Sequence, residues 1–380
     1  MRGLRVRLPS TGEALPLLRK EYAYWMTTGE SGHAVDVELF DGTVATLNRY
    51  VSSTRTPRPE SFLEDLTTAS HADVGRSAEE RSRVYSELAA AAESGWDFSS
   101  RWLEDGQSLH SARTSEILPV DLNSIMYRFE TNLQQLSLMA GDQDGATRYG
   151  AAAARRQKAM DELFWNTPRR QWFDFHWPSH TPVDLEATAA SNWLPLWAGA
   201  FDARRASLAV QSLRHSGIVL PGGVATTMAQ TEHQWDWPNA WAPMQEMLIE
   251  GLERTGQPAA QDMALRIAQR WTASNMKVRI QPSISHCISL YVLALPTLLS
   301  SLPTLLPSPC PSLARTLSLC LSTQRWKAWR ETHYMFEKYS AVEQGVGGGG
   351  GEYTPQVGFG WTNGVALSLL ARYGDKLVER

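Results

Sequence analysis

Apolar residues recur at helical spacing through much of this chain, and that repetition limits its fold more than any other feature of the sequence. From Leu122 to Leu136 they stand three or four residues apart, directly after the cap-forming Asp121. Comparable patterns cover 146–163, 194–213, 242–252, 259–271 and 365–373. Strand signals are short, the strongest spanning 171–175. Helices joined by short polar connections predict an all-α fold of stacked helical hairpins, with functional residues on the loops between them.

The composition narrows the classes of protein that the chain can represent. With 380 residues, 43% of them hydrophobic and 20% charged, it has enough apolar side chains for a sizeable core. The net charge of −4 gives no basic excess of the kind that binds nucleic acid. The three cysteines, Cys287, Cys310 and Cys320, form no CxxC pair, so neither a disulfide framework nor a zinc site is predicted. The basic start, 1–10, precedes no apolar stretch, which predicts no signal peptide and leaves localisation open.

One segment departs from the helical pattern. Residues 280–324 are rich in Leu, Ser and Pro, and Arg315 is their only charged side chain. An uncharged stretch of this length is a candidate for a membrane span, which would make the chain a membrane-attached scaffold. Six prolines interrupt it, however, and no clean apolar run of about 20 residues survives them. The composition therefore favours an ill-packed or disordered insertion between two helical regions, and membrane attachment is not supported.

Carboxylates set among tryptophans and glycines are the chemically most informative residues. Asp97 follows Gly95-Trp96, Glu337 stands in 335–340, and Glu352 follows the five glycines of 347–351. Two carboxyl groups facing each other across a sugar are what glycoside hydrolysis needs, because one must be a proton donor and the other must stay ionised.

Each of these features also has a structural interpretation that the residues alone leave open. Asp97 is a residue type that caps helix N-termini. Glu337 beside Lys338 fits an exposed ion pair, since most glutamates are solvated. The glycine run fits a flexible linker as well as a lid that closes over a substrate.

Two further stretches combine aromatic, polar and proline residues. The sequence 234–243, Gln-Trp-Asp-Trp-Pro-Asn-Ala-Trp-Ala-Pro, fits either a polar and aromatic binding wall or a rigid turn that enters a helix at Ala242. Arg58-Pro59-Glu60 lies in a proline-stiffened loop and fits either a surface pair or a clamp for hydroxyl groups.

Taken in order, these stretches resemble trehalase, the inverting glycoside hydrolase family that splits α,α-trehalose into two glucose molecules. The resemblance is carried by 57–61, 93–102, 120–123, 234–243 and 347–364, which occur in the family's order and span most of the chain. It implies an (α/α)6 toroid and a single-displacement mechanism. The implied substrate is a small disaccharide, with no metal and no organic cofactor.

The resemblance also implies roles for particular residues. Asp97 matches the family's general acid and Glu337 its general base. The positions that match substrate contacts are Arg58, Pro59, Glu60, Gly95 and Glu352.

Two departures from the family pattern qualify this expectation. A glycine-led signature ending in Trp-Asp and an Arg-Ser-Gln substrate segment are absent from the sequence. We therefore expect one trehalase-like domain over 1–380, incomplete at its N-terminus, with an atypical insertion at 278–327. The alternative to an active hydrolase is a catalytically inactive, truncated relative.

Overall fold

The computed structural model describes residues 11–70, 77–183, 188–276, 335–351 and 356–377. Two sequence predictions, the insertion at 278–327 and the sugar contact of Glu352, concern residues outside these ranges. Within them, helices and short antiparallel strand pairs account for the regular structure, and the helices carry the packing.

The helices fall where the apolar periodicity predicts most of them. They are α1 (Thr11–Trp25), α2 (Phe62–Ala69), α3 (Ala78–Glu93), α4 (Val120–Met139), α5 (Gln143–Ala159), α6 (Leu194–Ala198), α7 (Ala203–His215), α8 (Ala242–Arg254), α9 (Pro258–Met276) and α10 (Gly360–Tyr373). The predictions for α4, α8, α9 and α10 are confirmed. A single helix over 194–213 is wrong, because Gly199 adopts a left-handed backbone (φ +87°) that ends α6, and Asp202 caps the start of α7.

The strands are short and mostly connect loops. They are β1 (Ala34–Glu38), β2 (Val44–Asn48), β3 (Ile117–Leu118), β4 (Trp165–Asn166), β5 (Gln171–Trp172), β6 (Phe175–His176), β7 (Thr181–Pro182), β8 (Val219–Leu220), β9 (Gly223–Val224), β10 (Asn239–Trp241) and β11 (Lys338–Ser340). The predicted strand at 171–175 is present as β5 and the start of β6. The β1–β2 hairpin was missed, although Asp41-Gly42 between two alternating apolar runs is a hairpin signal.

The arrangement of the helices determines where the long loops gather. Helices α4, α6, α8 and α10 pack side by side in chain order, while α5 and α9 lie against α4 and α8. The turns within α4–α5, α6–α7 and α8–α9 are short. The connections α3 to α4, α5 to α6 and α7 to α8 are long, and they meet one another, since Arg101 binds Asp174 and Asp236 accepts from Ser99. These loops carry Asp97 and the 234–243 stretch.

The core contains many of the tryptophans. The fully buried ones are Trp102, Trp172, Trp193, Trp241 and Trp271. They join a continuous apolar cluster that runs from the β1–β2 hairpin to α10. Their burial agrees with the expectation that most tryptophans of the chain pack in the interior. In the described part of the chain, no helix combines the length and apolarity that a bilayer span requires.

Candidate active site

The end of α3 presents Asp97 on the loop face. Ser94 is the last helical cap residue, and Gly95 then takes a left-handed conformation (φ +74°), with its N–H donating to Ala92 O at 3.1 Å. This turn directs Trp96 and Asp97 away from the helix axis. The following 3-10 turn, Ser100–Trp102, is capped by the hydroxyl of Ser99 rather than by Asp97. The capping interpretation of Asp97 is therefore wrong.

A second carboxylate, Asp236, anchors this loop from the 234–243 stretch. It is fully buried, and its two oxygens accept four hydrogen bonds. The donors are Ser99 Oγ at 2.7 Å, Ser100 N at 2.8 Å, Thr227 Oγ1 at 2.9 Å and Thr231 Oγ1 at 2.6 Å. A carboxylate saturated in this way holds loops together and is unsuited to proton transfer. The 234–243 stretch therefore holds the loop that carries Asp97 in place, and it also contributes aromatic rings.

The aromatic wall consists of four stacked or edge-on tryptophans. Trp235 lies between Trp96 and Trp241, with ring centroids 5.2 and 4.0 Å away and nearly parallel planes. Trp361 meets Trp235 and Trp241 edge-on at 6.5 and 5.6 Å. These rings belong to three stretches that are separate in the sequence, and the fold brings them together in one aromatic cluster.

Glu337 and Lys338 are buried, with 2% and 0% of their surfaces exposed, so the interpretation of an exposed ion pair is wrong. Strand β11 pairs with β10, which sets Lys338 opposite Trp241. The carboxylate Oε2 of Glu337 accepts from Gln356 N at 3.2 Å, and its carbonyl accepts from Trp361 Nε1 at 3.1 Å.

The described glycines before Glu352 are docked against the same strands. Asn239 donates to Gly349 O at 2.7 Å and accepts from Gly349 N at 3.1 Å, while Gly348 N donates to Lys338 O at 3.0 Å. A Cβ atom on Gly348 would lie 2.5 Å from Asn239 Oδ1. Gly348, Gly350 and Gly351 are needed for close approach, and the linker interpretation of 347–351 is wrong.

Lys338 connects the two candidate catalytic segments. Its Nζ donates to Gln234 Oε1 at 2.6 Å and to Gly350 O at 3.2 Å, and Gln234 Nε2 donates in turn to the carbonyl of Asp97. Burial lowers the pKa of Lys338, while the nearby Glu337 and Asp97 carboxylates act in the opposite direction. The hydrogen bonds through Gln234 therefore link the strand of Glu337 to the backbone of Asp97.

Among the predicted sugar contacts, the structure brings Arg58 and Gly95 to this site. The guanidinium of Arg58 is buried, pairs with Asp65 through Nη2–Oδ1 at 2.6 Å, and lies 5.0 Å from the Phe98 ring centroid. Pro59 and Glu60 form an exposed 3-10 turn beside it.

Sequence reasoning missed Arg101 as the polar centre beneath Asp97. Its guanidinium lies between the rings of Trp96 and Trp102, at 4.7 and 4.6 Å. It binds Asp121 through Nη1–Oδ2 at 2.6 Å and Asp174 through Nη2–Oδ1 at 2.8 Å. Two motifs on which the resemblance rests, 93–102 and 120–123, meet in this contact. Their occurrence in the family's order was the sequence signal that could have pointed to Arg101.

Across the described ranges, no group of three or more His, Cys, Asp and Glu side chains is arranged to hold a metal ion. The polar groups of the site are instead the carboxylates, amides and guanidinium groups named above.

The solved structures place the chain in a fold class. It shares its fold with neutral trehalase Nth1 from Saccharomyces cerevisiae, with a TM-score of 0.64 and 17% sequence identity. The match covers 96% of this chain and 58% of that one. The predicted (α/α)6 toroid class is therefore confirmed.

The sequence comparisons then define the family. The family model for trehalase matches residues 10–283 and 302–374. The chain is 37% identical over 372 residues to a trehalase of Apis mellifera and 32% identical over 385 residues to a probable trehalase of Oryza sativa subsp. japonica. Each match covers 96% of this chain, but only 50% and 58% of those relatives. The chain belongs to the trehalase family and spans about half the length of these curated relatives.

Proposed function

We propose that this chain carries the catalytic carboxylates of an α,α-trehalase, which hydrolyses trehalose to two glucose molecules with inversion. The observation that carries the proposal is that Lys338, beside Glu337 on β11, donates to Gln234, whose amide in turn donates to the carbonyl of Asp97. Family membership supplies the substrate class, because the relatives are named as trehalases.

In the proposed reaction, the carboxyl of Asp97 protonates the glycosidic oxygen as the bond to the anomeric carbon breaks. Glu337 takes a proton from a water molecule that attacks this carbon from the opposite face. One displacement leaves the attacked glucose inverted and the two carboxyl groups with exchanged protonation. Inverting pairs stand about 6.5–9.5 Å apart, so that the water fits between sugar and base.

The surroundings support a sugar as the ligand. Trp96, Trp235 and Trp241 are buried against one another, and Trp361, the partly exposed member of the cluster, offers apolar surface to the CH groups of a glucose ring. We assign contacts with the substrate to five residues. They are Arg58, Pro59, Glu60, Gly95 and Glu352. The proposed chemistry requires no metal and no organic cofactor.

The test measures glucose release from trehalose by this chain and its Asp97→Asn and Glu337→Gln variants. We expect each variant to lower kcat by about 10²- to 10⁴-fold, the usual contribution of a general acid or base. Glu343→Gln, an exposed carboxylate in the same loop region, should leave the rate unchanged. Proton NMR of the first product should show β-glucose appearing ahead of mutarotation. Unchanged rates in both site variants would refute the assigned roles.

A second candidate is a family member without catalytic activity. Because the chain spans only about half of its relatives, their activity does not transfer to it by likeness alone. Calorimetric titration with trehalose separates the two functions. Binding without glucose release supports the non-catalytic protein, whereas turnover refutes it.

We also propose that 1–380 forms one domain interrupted by the insertion at 278–327. The family match is itself interrupted at 284–301. The chain on either side meets in one core, since Ser274 Oγ accepts from Gly345 N at 3.2 Å and the rings of Trp271 and Tyr339 lie 5.4 Å apart.

A further inference from the structure

Lys338 is unusual because it is a lysine with no exposed surface at the point where three segments meet, namely β11, 234–243 and the glycine loop. Its own strand, β11, carries Glu337. Its Nζ bonds the side chain of Gln234 and the carbonyl of Gly350, and it lies 5.1 Å from the centroid of the Trp241 ring. Buried lysines are costly unless their charge is compensated, so a lysine retained here indicates that its charge is used.

From this arrangement we infer that Lys338 is a positioning residue, which holds the two candidate carboxylates in register. The inference rests on the proposed function for its chemistry. It goes beyond that function by assigning a role to a residue that does not itself exchange protons with the substrate.

The positioning role of Lys338 follows from its hydrogen bonds. Gln234 uses both ends of its amide, since Oε1 accepts from Lys338 and Nε2 donates to the carbonyl of Asp97. The same ammonium reaches Gly350 O, in the glycine loop. Displacing Lys338 therefore releases the backbone of the acid and the glycine loop together.

The experiment compares Lys338→Met with Gln234→Met and with Lys20→Met, which removes the same charge from an exposed position on α1. Hydrogen exchange measured by mass spectrometry tests the positioning role and does not require the chain to be catalytically active. Lys338→Met and Gln234→Met should increase exchange about tenfold in peptides covering 96–101, and Lys338→Met should also do so in 345–351. Lys20→Met should match the unaltered protein. Unchanged exchange in Lys338→Met overturns the positioning role.

Trehalose kinetics give a second readout. Lys338→Met and Gln234→Met should each lower kcat about tenfold or more while changing KM less, because the candidate acid is no longer held in register, and Lys20→Met should change neither. A kcat in Lys338→Met equal to that of Lys20→Met overturns the positioning role. If the unaltered chain releases no glucose, the proposed function fails, while hydrogen exchange still decides this inference.

Discussion

At the scale of single residues, the surroundings determine what each carboxylate does. The chain contains two Trp-Asp pairs, Trp96-Asp97 and Trp235-Asp236, whose tryptophans stack on each other. Asp236 is fully buried under four donors, whereas Asp97 remains partly exposed beside the aromatic wall. The two dipeptides are identical in sequence, so only the hydrogen bonds distinguish the structural carboxylate from the candidate acid.

Arg101 gives a stability prediction at the same scale. Burial alone lowers the pKa of this guanidinium, but Asp121 and Asp174 outweigh it and raise the pKa. Arg101→Met leaves both carboxylates buried without their cation, and we expect it to lower the free energy of unfolding by about 3–5 kcal/mol. Urea denaturation followed by circular dichroism measures this loss.

The matched control is Arg83→Met, which removes an arginine that is 59% exposed from its contact with Glu116. Exposed pairs contribute roughly 0–1 kcal/mol, so this variant should unfold nearly like the parent. Equal losses in the two variants would contradict the importance of the buried contact.

At the scale of elements, helix endings decide the geometry of the site. The period of apolar residues predicted α4, α8, α9 and α10, because an amphipathic helix that packs on a core has apolar residues at helical spacing in its own sequence. It did not predict the break at Gly199, nor the β1–β2 hairpin. A glycine is a local signal for a helix end. Whether the helix ends there also depends on the residues that the following loop contacts.

A substitution at Gly95 tests the effect of the helix ending on stability and activity. The Gly95 φ of +74° lies in the left-handed region, which costs an L-residue about 1–2 kcal/mol. Gly95→Ala should lower the free energy of unfolding by that amount, and it should lower kcat more than it raises KM, since Asp97 follows two residues later. Thermal unfolding and trehalose kinetics measure the two effects.

Gly349→Ala is the control for this substitution. A Cβ atom at Gly349 meets nothing within 4 Å, and its φ lies outside the left-handed region. Its stability should change by less than about 0.5 kcal/mol, the usual range for surface substitutions. A larger loss at Gly349 than at Gly95 would refute the role assigned to the helix ending.

At the scale of the whole molecule, the chain before and after the proposed insertion belongs to one packed body. Strand β11 pairs with β10, and α10 packs against α8 and α9. These contacts join residues from either side of 278–327. The ends of the insertion therefore have no need of the insertion itself to be brought together.

Deleting 278–327 tests this arrangement. Shortening the chain between parts that already contact each other reduces the entropy lost on folding, so the deletion should leave a single cooperative unfolding transition with an equal or higher Tm. Glucose release should persist if the parent shows it. Calorimetry and the trehalose assay check both results. Loss of the cooperative transition would show that the segment is an integral part of the domain, and membrane partitioning that disappears with the deletion would favour the scaffold.

Apolar periodicity and motifs were enough to predict the helical fold class, the family and a short list of candidate site residues, because both are local properties of a chain. The sequence left open whether Glu337 and Lys338 were a surface pair and whether the glycines were a linker. The tertiary structure decided these points, since burial and hydrogen bonding depend on segments distant in sequence. The contact of Gln234 with both Lys338 and Asp97 exists only once β10 and β11 pair, and no local pattern encodes that pairing.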